Sequence, residues 1–343
     1  MKTEHPNADR TSLQKALRRF LDYKAKNTKE STVRAYRVAC QQFLDYCRDE
    51  QELETISEVR HYHVNTWKEY RAKNVAPATV HNNVKHVRVF IGFCQEAGLV
   101  PQGTWESISV PELNREDAVS EESLSPEAAN AALNYLDTYE YATRKHAQFL
   151  FMWHTGCRAS GSIAVDVDDY EPSGSVPVVK FRDRPDTGTP LKNRSSSNRD
   201  VTLIDDVATV LNDYINGHRR DVTDDYGRNP LFTTPNGHVT RQRLYKNVTA
   251  LTRPCYYANA CPHDRSIEDC EAAKYTDKAM SCPSSVSNHP VRRGSINHHL
   301  DIGWPVEKLS ERVDVSVKVL KKHYDTRGTE RKRAGREDFM GLF

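Results

Sequence analysis

Apolar side chains recur every three or four positions through the first 100 residues, which is the spacing of one face of an α-helix. The clearest stripe covers residues 33–47, and a second covers residues 13–21, behind Thr11 and Ser12 as candidate N-caps. A weaker stripe around Trp67 and a longer one over residues 80–94 follow. The N-terminal region is therefore predicted to be a bundle of four packed helices.

The pattern changes after this region. Residues 103–125 contain Pro111, acidic residues and small residues without any period, and Pro126 follows, so a linker is predicted there. Helical spacing returns at residues 141–154 and 207–214. Between them, residues 176–181 and 201–204 have the pattern of two short strands on either side of a long polar turn.

The length and composition place broad limits on the molecule. With 343 residues, two domains are expected, one over residues 11–105 and the other over residues 121–343. Lys and Arg number 49 against 47 Asp and Glu, so any basic surface for a nucleic acid must be local. No apolar run is long enough to span a membrane, and the first ten residues are polar, unlike a secretory signal. We therefore expect a cytoplasmic protein whose eight cysteines stay reduced.

Several polar residues of the second domain carry chemistry. Arg158 follows a Thr-Gly-Cys turn at the end of a helix, and Lys192 lies in the polar turn between the two predicted strands. His289 and Arg292 form an H-x-x-R pattern at the start of a helix, and Tyr324 stands in a His-Tyr-Asp sequence near the C-terminus. In order and spacing, this set resembles the active site of the tyrosine recombinases, or phage integrase family, of the archaeal or viral integrase type.

The resemblance implies a fold and a function. The fold is mainly α with a small antiparallel β-sheet: an N-terminal helical, SAM-like core-binding domain precedes an α/β catalytic domain, and the two close around DNA as a clamp. The function is site-specific integration and excision by strand cleavage and rejoining through a 3′-phosphotyrosyl intermediate. The implied partners are double-stranded DNA and other protomers, in a tetrameric synapse.

The same resemblance assigns roles to residues, and their chemistry suits those roles. Arg158 and Arg292 would hold the non-bridging oxygens of the phosphate and stabilise the pentavalent state. Tyr324 would be the nucleophile, and its hydroxyl, with a pKa of about 10, needs the cationic field or a base such as His289. Lys192 would protonate the departing 5′ oxygen, so no cofactor is expected for catalysis.

Two positions depart from the family pattern. Val315 stands where a second His or Trp is usual, so one phosphate ligand is missing. Losing one such donor costs roughly 10²-fold in rate unless a neighbour such as His323 replaces it. Gly161 stands where an acidic residue is common, which affects the positioning of the first arginine.

Other assignments stay open. Lys180 precedes Lys192 and Arg194 follows it, and either cation is an alternative general acid. A catalytically impaired DNA-binding protein on a recombinase scaffold is one alternative function. A type IB topoisomerase-like enzyme, which uses a similar set of residues, is the other.

Four of the eight cysteines lie close together in the sequence. They are Cys255, Cys261, Cys270 and Cys282, separated by five, eight and eleven residues. In a reducing compartment four thiolates indicate a structural zinc site, with His263 as a substitute ligand. The spacing lacks the close Cys pairs of common zinc fingers, so an iron–sulfur cluster and plain reduced thiols stay open. Residues 255–282 are predicted to form a Cys-rich insertion that braces the active site.

The sequence ends with four apolar residues among polar ones. They are Phe339, Met340, Leu342 and Phe343. Because a solvated tail gains nothing from them, we expect this tail to dock on a neighbouring protomer. A frayed terminus is the alternative.

Overall fold

The computed structural model describes residues 11–114 and 122–324 and, beyond them, Arg333. The apolar residues at positions 339–343 lie outside the described residues, and their docking stays a prediction. The chain divides into two compact units, Met1–Ser120 and Glu121–Phe343. Each unit has its own hydrophobic core.

Helices pack around one core in the first unit, which confirms the four-helix prediction. They are α1 (Leu13–Ala25), α2 (Glu30–Asp49), α3 (His61–Ala72) and α4 (Pro77–Glu96). The apolar stripes face inward, and their aromatic side chains pair across the core. The ring centroids lie 5.3 Å apart for Phe20 and Phe90, and 5.4 Å apart for Phe43 and Trp67. Burying each such ring stabilises the unit by roughly 1.5–3 kcal/mol before ordering costs.

Local signals in the sequence set where these helices begin. The Ser12 hydroxyl accepts a hydrogen bond from the backbone N–H of Lys15 at 3.3 Å, so Ser12 is the N-cap of α1. Pro77 occupies the first turn of α4, where its missing N–H has no helical partner to lose. A 3₁₀ turn, Ile56–Glu58, precedes α3.

The second unit is also mainly helical. Its described α-helices are α5 (Pro126–Tyr139), α6 (Arg144–Thr155), α7 (Ala159–Ala164), α8 (Asp205–Asp213), α9 (Arg241–Leu251), α10 (Pro254–Tyr257), α11 (Glu271–Lys274), α12 (Asn288–Asp301), α13 (Val306–Val313) and α14 (Val317–His323). Across both described ranges, none of the helices is both long and apolar enough to cross a membrane.

A small antiparallel sheet lies between α7 and α8. Its strands, in spatial order, are β1 (Tyr170–Glu171), β2 (Val178–Phe181) and β3 (Arg199–Thr202). Phe181 pairs with Arg199 in the register, so the polar turn between β2 and β3 covers residues 182–198. The small sheet is as predicted, but β3 begins two residues earlier than the apolar pattern indicates. Ile204 leaves the sheet because it is the N-cap of α8. A second hairpin pairs β4 (Thr233–Thr234) with β5 (Gly237–His238).

Two glycines permit close approaches that position the C-terminal helices. Gly156 ends α6 in the left-handed region at φ +59°, and a Cβ there would lie 2.9 Å from a methyl carbon of Val313. Gly294 on α12 passes so near the chain that a Cβ would lie 2.0 Å from the Leu124 carbonyl oxygen. Only glycine fits these contacts without a backbone shift.

The helices α12, α13 and α14 share a small core of their own. Its buried members are Ile296, Leu300, Leu309, Val313, Val315, Leu320 and Tyr324. Ser316 caps α14, since its hydroxyl accepts the backbone N–H of Val319 at 3.3 Å. This cap and this core together fix the direction in which the last described helix approaches α12.

Candidate active site

Tyr324 lies at the C-terminal end of α14 and packs into the small core. Its side chain is buried, at 6% exposure. Two cations flank the ring: the guanidinium carbons of Arg292 and Arg293 lie 5.7 and 5.8 Å from its centroid. Two positive charges therefore lie within 6 Å of the Tyr324 ring centroid.

Arg292 is fully buried beneath this ring, on the first turns of α12. Its Nη1 donates to the carbonyl oxygen of Gly156 and its Nη2 to that of Val313, both at 2.7 Å. Burial lowers its pKa, as does the nearby Arg158, while Tyr324 acts in the opposite direction. Both terminal nitrogens bind the ends of α6 and α13, and each nitrogen has a second N–H that these two bonds do not use, so direct donation to phosphate oxygens stays a prediction. Its charge is therefore held in place by backbone.

His289 lies one helical turn before Arg292, on the same face of α12. Its ring centroid is 5.8 Å from that of Tyr324. Partial desolvation lowers the pKa of His289, and the charges of Arg293, Arg292 and Arg158 lower it further. The imidazole is therefore neutral at pH 7 and able to accept a proton.

Arg158 is the N-cap of α7 and extends into a different part of the site. Its Nη1 donates to Asp314 Oδ2 at 2.5 Å. Its side chain keeps 29% of its surface open to solvent, against 13% for Asp314. Arg158 is thus the more accessible of the two predicted arginines, and in this structure a carboxylate occupies it.

Lys192 lies exposed on the polar turn between β2 and β3, next to Asn193. Of the two alternatives to it, Lys180 forms an ion pair with Glu171 across the sheet. Arg194 begins the 3₁₀ turn Arg194–Ser197 in the left-handed region, at φ +60°. The structure thus ties Lys180 to the sheet and leaves Lys192 and Arg194 on the turn.

Sequence reasoning did not select Asp314, which lies in the left-handed region at φ +53° between α13 and α14. Besides Arg158, its carboxylate accepts hydrogen bonds from Ser197 Oγ at 2.7 Å and Asn193 Nδ2 at 3.3 Å. The only available signal was its position immediately before Val315. Val315 itself packs into the small core and offers no donor from its side chain.

Further arginines surround the site. Arg199 stacks on Phe181 at 4.1 Å and donates from Nε to the carbonyl oxygen of Arg312 at 2.7 Å. Burial lowers the pKa of Arg199 to about 10, and it also lowers that of Arg312 to about 10. The same Phe181 ring lies 3.2 Å from where a Cβ of Gly161 would stand, so no acidic side chain fits there without rearrangement.

An open groove of about 570 Å³ runs along this side of the second unit. Its lining includes Arg158, Asn193, Arg199, Asp314 and Ser316. Its walls carry guanidinium, amide and hydroxyl donors together with the carboxylates of Asp314 and Glu311. The guanidinium groups of Arg158 and Arg199 are the groups in it that suit an anionic ligand.

The Cys-rich segment is tied to the end of α9. The Ser285 hydroxyl donates to the carbonyl oxygen of Thr249 at 2.7 Å, and the backbone N–H of Val286 donates to Thr252 Oγ1 at 3.0 Å. These bonds fix the chain just before α12 begins. The contacts belong to the residues that follow the segment, and the bracing role of residues 255–282 stays a prediction.

The four clustered cysteines line one small cavity, together with His263. None of the eight cysteines of the chain is in a disulfide. The cavity does not form a ready metal centre: within residues 11–114 and 122–324, no group of three or more His, Cys, Asp or Glu side chains is arranged to hold a metal ion. The tetrahedral zinc site predicted at Cys255, Cys261, Cys270 and Cys282 is therefore not supported. The Nε2 atom of His263, the predicted substitute ligand, is hydrogen-bonded to the Ser284 hydroxyl at 2.9 Å.

Comparison with solved structures identifies the fold. The integrase of transposon Tn1549, in complex with transposon right end DNA, is 13% identical over 96% of this chain and 100% of its own, with a TM-score of 0.66. The XerH site-specific recombinase, in a post-cleavage complex with its palindromic difH substrate, is 12% identical over 95% of this chain and 84% of its own, also with a TM-score of 0.66. A pre-cleavage XerH complex aligns with a TM-score of 0.62 at 12% identity.

At these identities the comparison establishes the fold. The chain has the fold of these recombinases, mainly helical with a small antiparallel sheet, which confirms the expected fold class. No protein-family model and no curated protein sequence matches the chain.

Proposed function

We propose that this chain is a site-specific DNA recombinase that cleaves and rejoins strands through a covalent bond between Tyr324 and a 3′ phosphate. The observation that carries the proposal is the assembly around Tyr324. His289 and Arg292 come from α12, and each lies within 6 Å of the Tyr324 ring centroid, at 5.8 and 5.7 Å. The structural neighbours named above were solved with DNA, which supports duplex DNA as the partner.

The proposed chemistry has two balanced steps. In cleavage, the Tyr324 oxygen forms a bond to phosphorus while the bond from phosphorus to the 5′ oxygen breaks. His289 takes the phenolic proton, and Lys192 gives a proton to the departing 5′ oxygen. In rejoining, the 5′ hydroxyl of the partner strand gives its proton to Lys192 and attacks phosphorus. The bond from phosphorus to the Tyr324 oxygen breaks, and that oxygen takes the proton back from His289. The phosphodiester energy is conserved, so no nucleotide cofactor is needed.

The two arginines divide the electrostatic work. Arg158, partly open to the groove, is placed to donate directly to phosphate oxygens. Arg292, with both terminal nitrogens on backbone carbonyls, acts through its fixed charge on the phenolate and on the pentavalent phosphate. A charge fixed by buried hydrogen bonds costs little reorganisation during the reaction.

The first unit is proposed to be the core-binding domain, over residues 11–105, with the catalytic domain over residues 121–343. We also propose that protomers assemble on DNA as a tetramer, since exchange of two duplexes uses four cleavage sites. Phosphate contacts would dominate DNA affinity, which should then fall steeply with salt concentration.

The decisive experiment is trapping on a nicked duplex that releases a short fragment after cleavage. The proposal predicts a covalent protein–DNA complex, with the DNA attached to the peptide that contains Tyr324. Tyr324→Phe should bind the same duplex and give no complex. Tyr245→Phe, which changes an exposed side chain of α9, should behave as the wild type.

Plasmid relaxation tests one of the two alternatives, and the trapping experiment tests the other. A topoisomerase-like enzyme would relax supercoiled plasmid DNA regardless of its sequence. A catalytically impaired DNA-binding protein would bind without forming the complex. Two observations favour the DNA-binding alternative. The Arg158 guanidinium is hydrogen-bonded to the Asp314 carboxylate, and the Val315 side chain has no hydrogen-bond donor.

A structural zinc ion in the Cys-rich segment is a separate proposal. Its support is that four free thiols line one cavity, and its cost is that the metal must draw them to a common centre. Mass spectrometry of the native protein should find about one zinc per chain. Cys261→Ser should lose it, and Cys47→Ser, in the core of the other unit, should keep it. Metal-free wild-type protein would end the proposal.

A further inference from the structure

The carboxylate of Asp314 is held by donors from two separate segments. Arg158 reaches it from the start of α7, with Nη1 to Oδ2 at 2.5 Å. Ser197 and Asn193 reach it from the turn between β2 and β3, with Oγ at 2.7 Å and Nδ2 at 3.3 Å from Oδ1 and 3.4 Å from Oδ2. We call Arg158, Ser197 and Asn193 the anion cradle. All three hydrogen-bond as donors to an acceptor that carries negative charge.

The anion cradle has the chemistry of a phosphodiester site. A carboxylate and a phosphodiester both present two oxygens that share one negative charge on one central atom. A guanidinium group can bind either anion in the same way, by donating a pair of hydrogen bonds to its two oxygens. Two members of the cradle, Arg158 and Asn193, line the open groove beside Arg199, so a phosphate on a long polymer can reach these two donors from solvent. Ser197 is buried, at 1% exposure, and its hydroxyl is therefore held for its partner and not spent on water.

Charge balance gives a reason for an acidic residue at this position. Arg158, Arg199 and Arg292 lie close enough to influence one another electrostatically. Asp314 acts on Arg199 in the opposite direction, so its charge offsets part of their repulsion. An incoming phosphodiester carries the same single negative charge and would relieve the same repulsion. Exchange of one anion for the other leaves the net charge of the cradle unchanged.

The backbone at Asp314 is suited to the exchange. The residue lies at φ +53°, a conformation that favours glycine, at the junction of α13 and α14. A junction residue can turn its side chain away without unwinding either helix. The following residues, from Ser316 to Tyr324, form the helix that carries the proposed nucleophile.

We infer that the anion cradle binds the scissile phosphate, and that Asp314 is an internal competitor which occupies the cradle until DNA displaces it. The inference rests on the proposed function for the identity of the phosphate. Ser197 and Asn193 then become substrate ligands, and they supply donors in a site where Val315 offers none. Asp314 sets how readily the site accepts DNA.

The first test measures binding of inorganic phosphate, which needs no cleavage. The apparent Kd is obtained for the full chain from the phosphate-dependent rise in its unfolding temperature. Asp314→Asn keeps the shape of the side chain and removes the competing charge, so it should bind phosphate about tenfold more tightly. Asp314→Gly, which suits the backbone conformation, should show the same gain. Ser197→Ala and Asn193→Ala should each bind more weakly than the wild type.

The matched control is Asp200→Asn. It removes one carboxylate from β3, where Asp200 pairs with Arg182 instead of the cradle, and it should leave phosphate binding unchanged. If the two Asp314 variants bind phosphate no better than Asp200→Asn, the competitor role is wrong. If Ser197→Ala and Asn193→Ala both bind as the wild type does, the cradle is wrong.

The second test follows cleavage of a DNA duplex in a single turnover. Asp314→Asn should cleave at least as fast as the wild type, and Ser197→Ala should cleave roughly a hundredfold more slowly. A residue that merely positions Arg158 would give the reverse result for Asp314→Asn, with slower cleavage and no gain in phosphate binding. Absence of cleavage in every protein, together with the expected phosphate shifts, would contradict the proposed function and leave the cradle standing.

Discussion

Arg292 lies beneath Tyr324 with its guanidinium carbon 5.7 Å from the ring centroid, while its two terminal nitrogens bind the carbonyl oxygens of Gly156 and Val313. One side chain thus links the ends of two helices and charges the environment of the proposed nucleophile. Arg292 therefore has both a structural and an electrostatic role. The Arg158 guanidinium, by contrast, donates to Asp314, a side chain that lines the groove.

This difference predicts distinct effects for the same substitution. Arg292→Lys should lower both cleavage and stability, because one ammonium cannot reproduce two divergent hydrogen bonds and leaves a buried carbonyl unsatisfied. The stability loss should be about 1–3 kcal/mol by urea denaturation. Arg158→Lys should abolish cleavage with a change in stability of less than about 1 kcal/mol, as expected for a partly exposed ion pair. Near-normal cleavage in both variants would refute the assigned roles.

Lys192 is predicted to protonate the departing 5′ oxygen. A substrate with a better leaving group should therefore restore cleavage by a variant that lacks this lysine. Lys192→Ala should slow cleavage of ordinary DNA by roughly 10²–10⁴-fold. A substrate with sulfur in place of that 5′ oxygen leaves as a thiolate without needing a proton, so both proteins should cleave it at similar rates. Arg194→Ala and Lys180→Ala serve as controls, and rescue of Arg194→Ala instead would move the general acid to that residue.

His289 gives a prediction about the pH dependence of cleavage. A general base must be unprotonated, and desolvation together with Arg293 lowers its pKa from the usual 6.5. Cleavage should therefore persist as the pH falls through 6.5 and decline only at lower pH. Arg293→Gln removes the largest charge contribution and should move this decline to higher pH. Arg182→Gln, on the turn after β2, removes a charge that pairs with Asp200 and does not act on His289, so it should not move the decline. An unshifted profile in Arg293→Gln would exclude His289 as the titrating base.

Much of the fold was predictable because local patterns determine it. The helical stripes that bury Phe20, Phe43 and Phe90 are periodic in the sequence, and capping by Ser12 needs only its neighbours. The strand bounds were less accurate, since Ile204 is apolar and its place at a helix start depends on the chain that follows.

The site divides in the same way. The resemblance of their order and spacing to those of the tyrosine recombinases was enough to select His289 and Tyr324 as neighbours. The contact between Arg158 and Asp314 joins residues 156 positions apart, and no pattern in the sequence indicates it. The zinc prediction rested on a sequence signal without a matching spatial arrangement. Clustering of cysteines along the chain does not determine whether their sulfurs converge on one point.

Two histidines beside the site give a prediction about stability in acid. His154 lies in the last turn of α6 and His299 in the last turn of α12, and their ring centroids are 6.3 Å apart. Burial lowers the pKa of His154 to about 3, and it lowers that of His299 to about 4. Arg312, whose Nη2 donates to the carbonyl oxygen of His154 at 3.1 Å, disfavours their protonation further.

Because the folded chain keeps both rings neutral while the unfolded chain protonates them near pH 6.5, the free energy of unfolding should fall as the pH drops below 6.5. The loss should be on the order of 2–3 kcal/mol for each ring by pH 4. His299→Gln can still donate to the Ser295 carbonyl oxygen but no longer titrates, so it should remove about half of this dependence and leave the part due to His154. His218→Gln, an exposed change in the same unit, should keep the wild-type slope. Urea denaturation at pH 4.5 and 7 measures both slopes, and equal slopes in all three proteins would show that His299 does not govern acid stability.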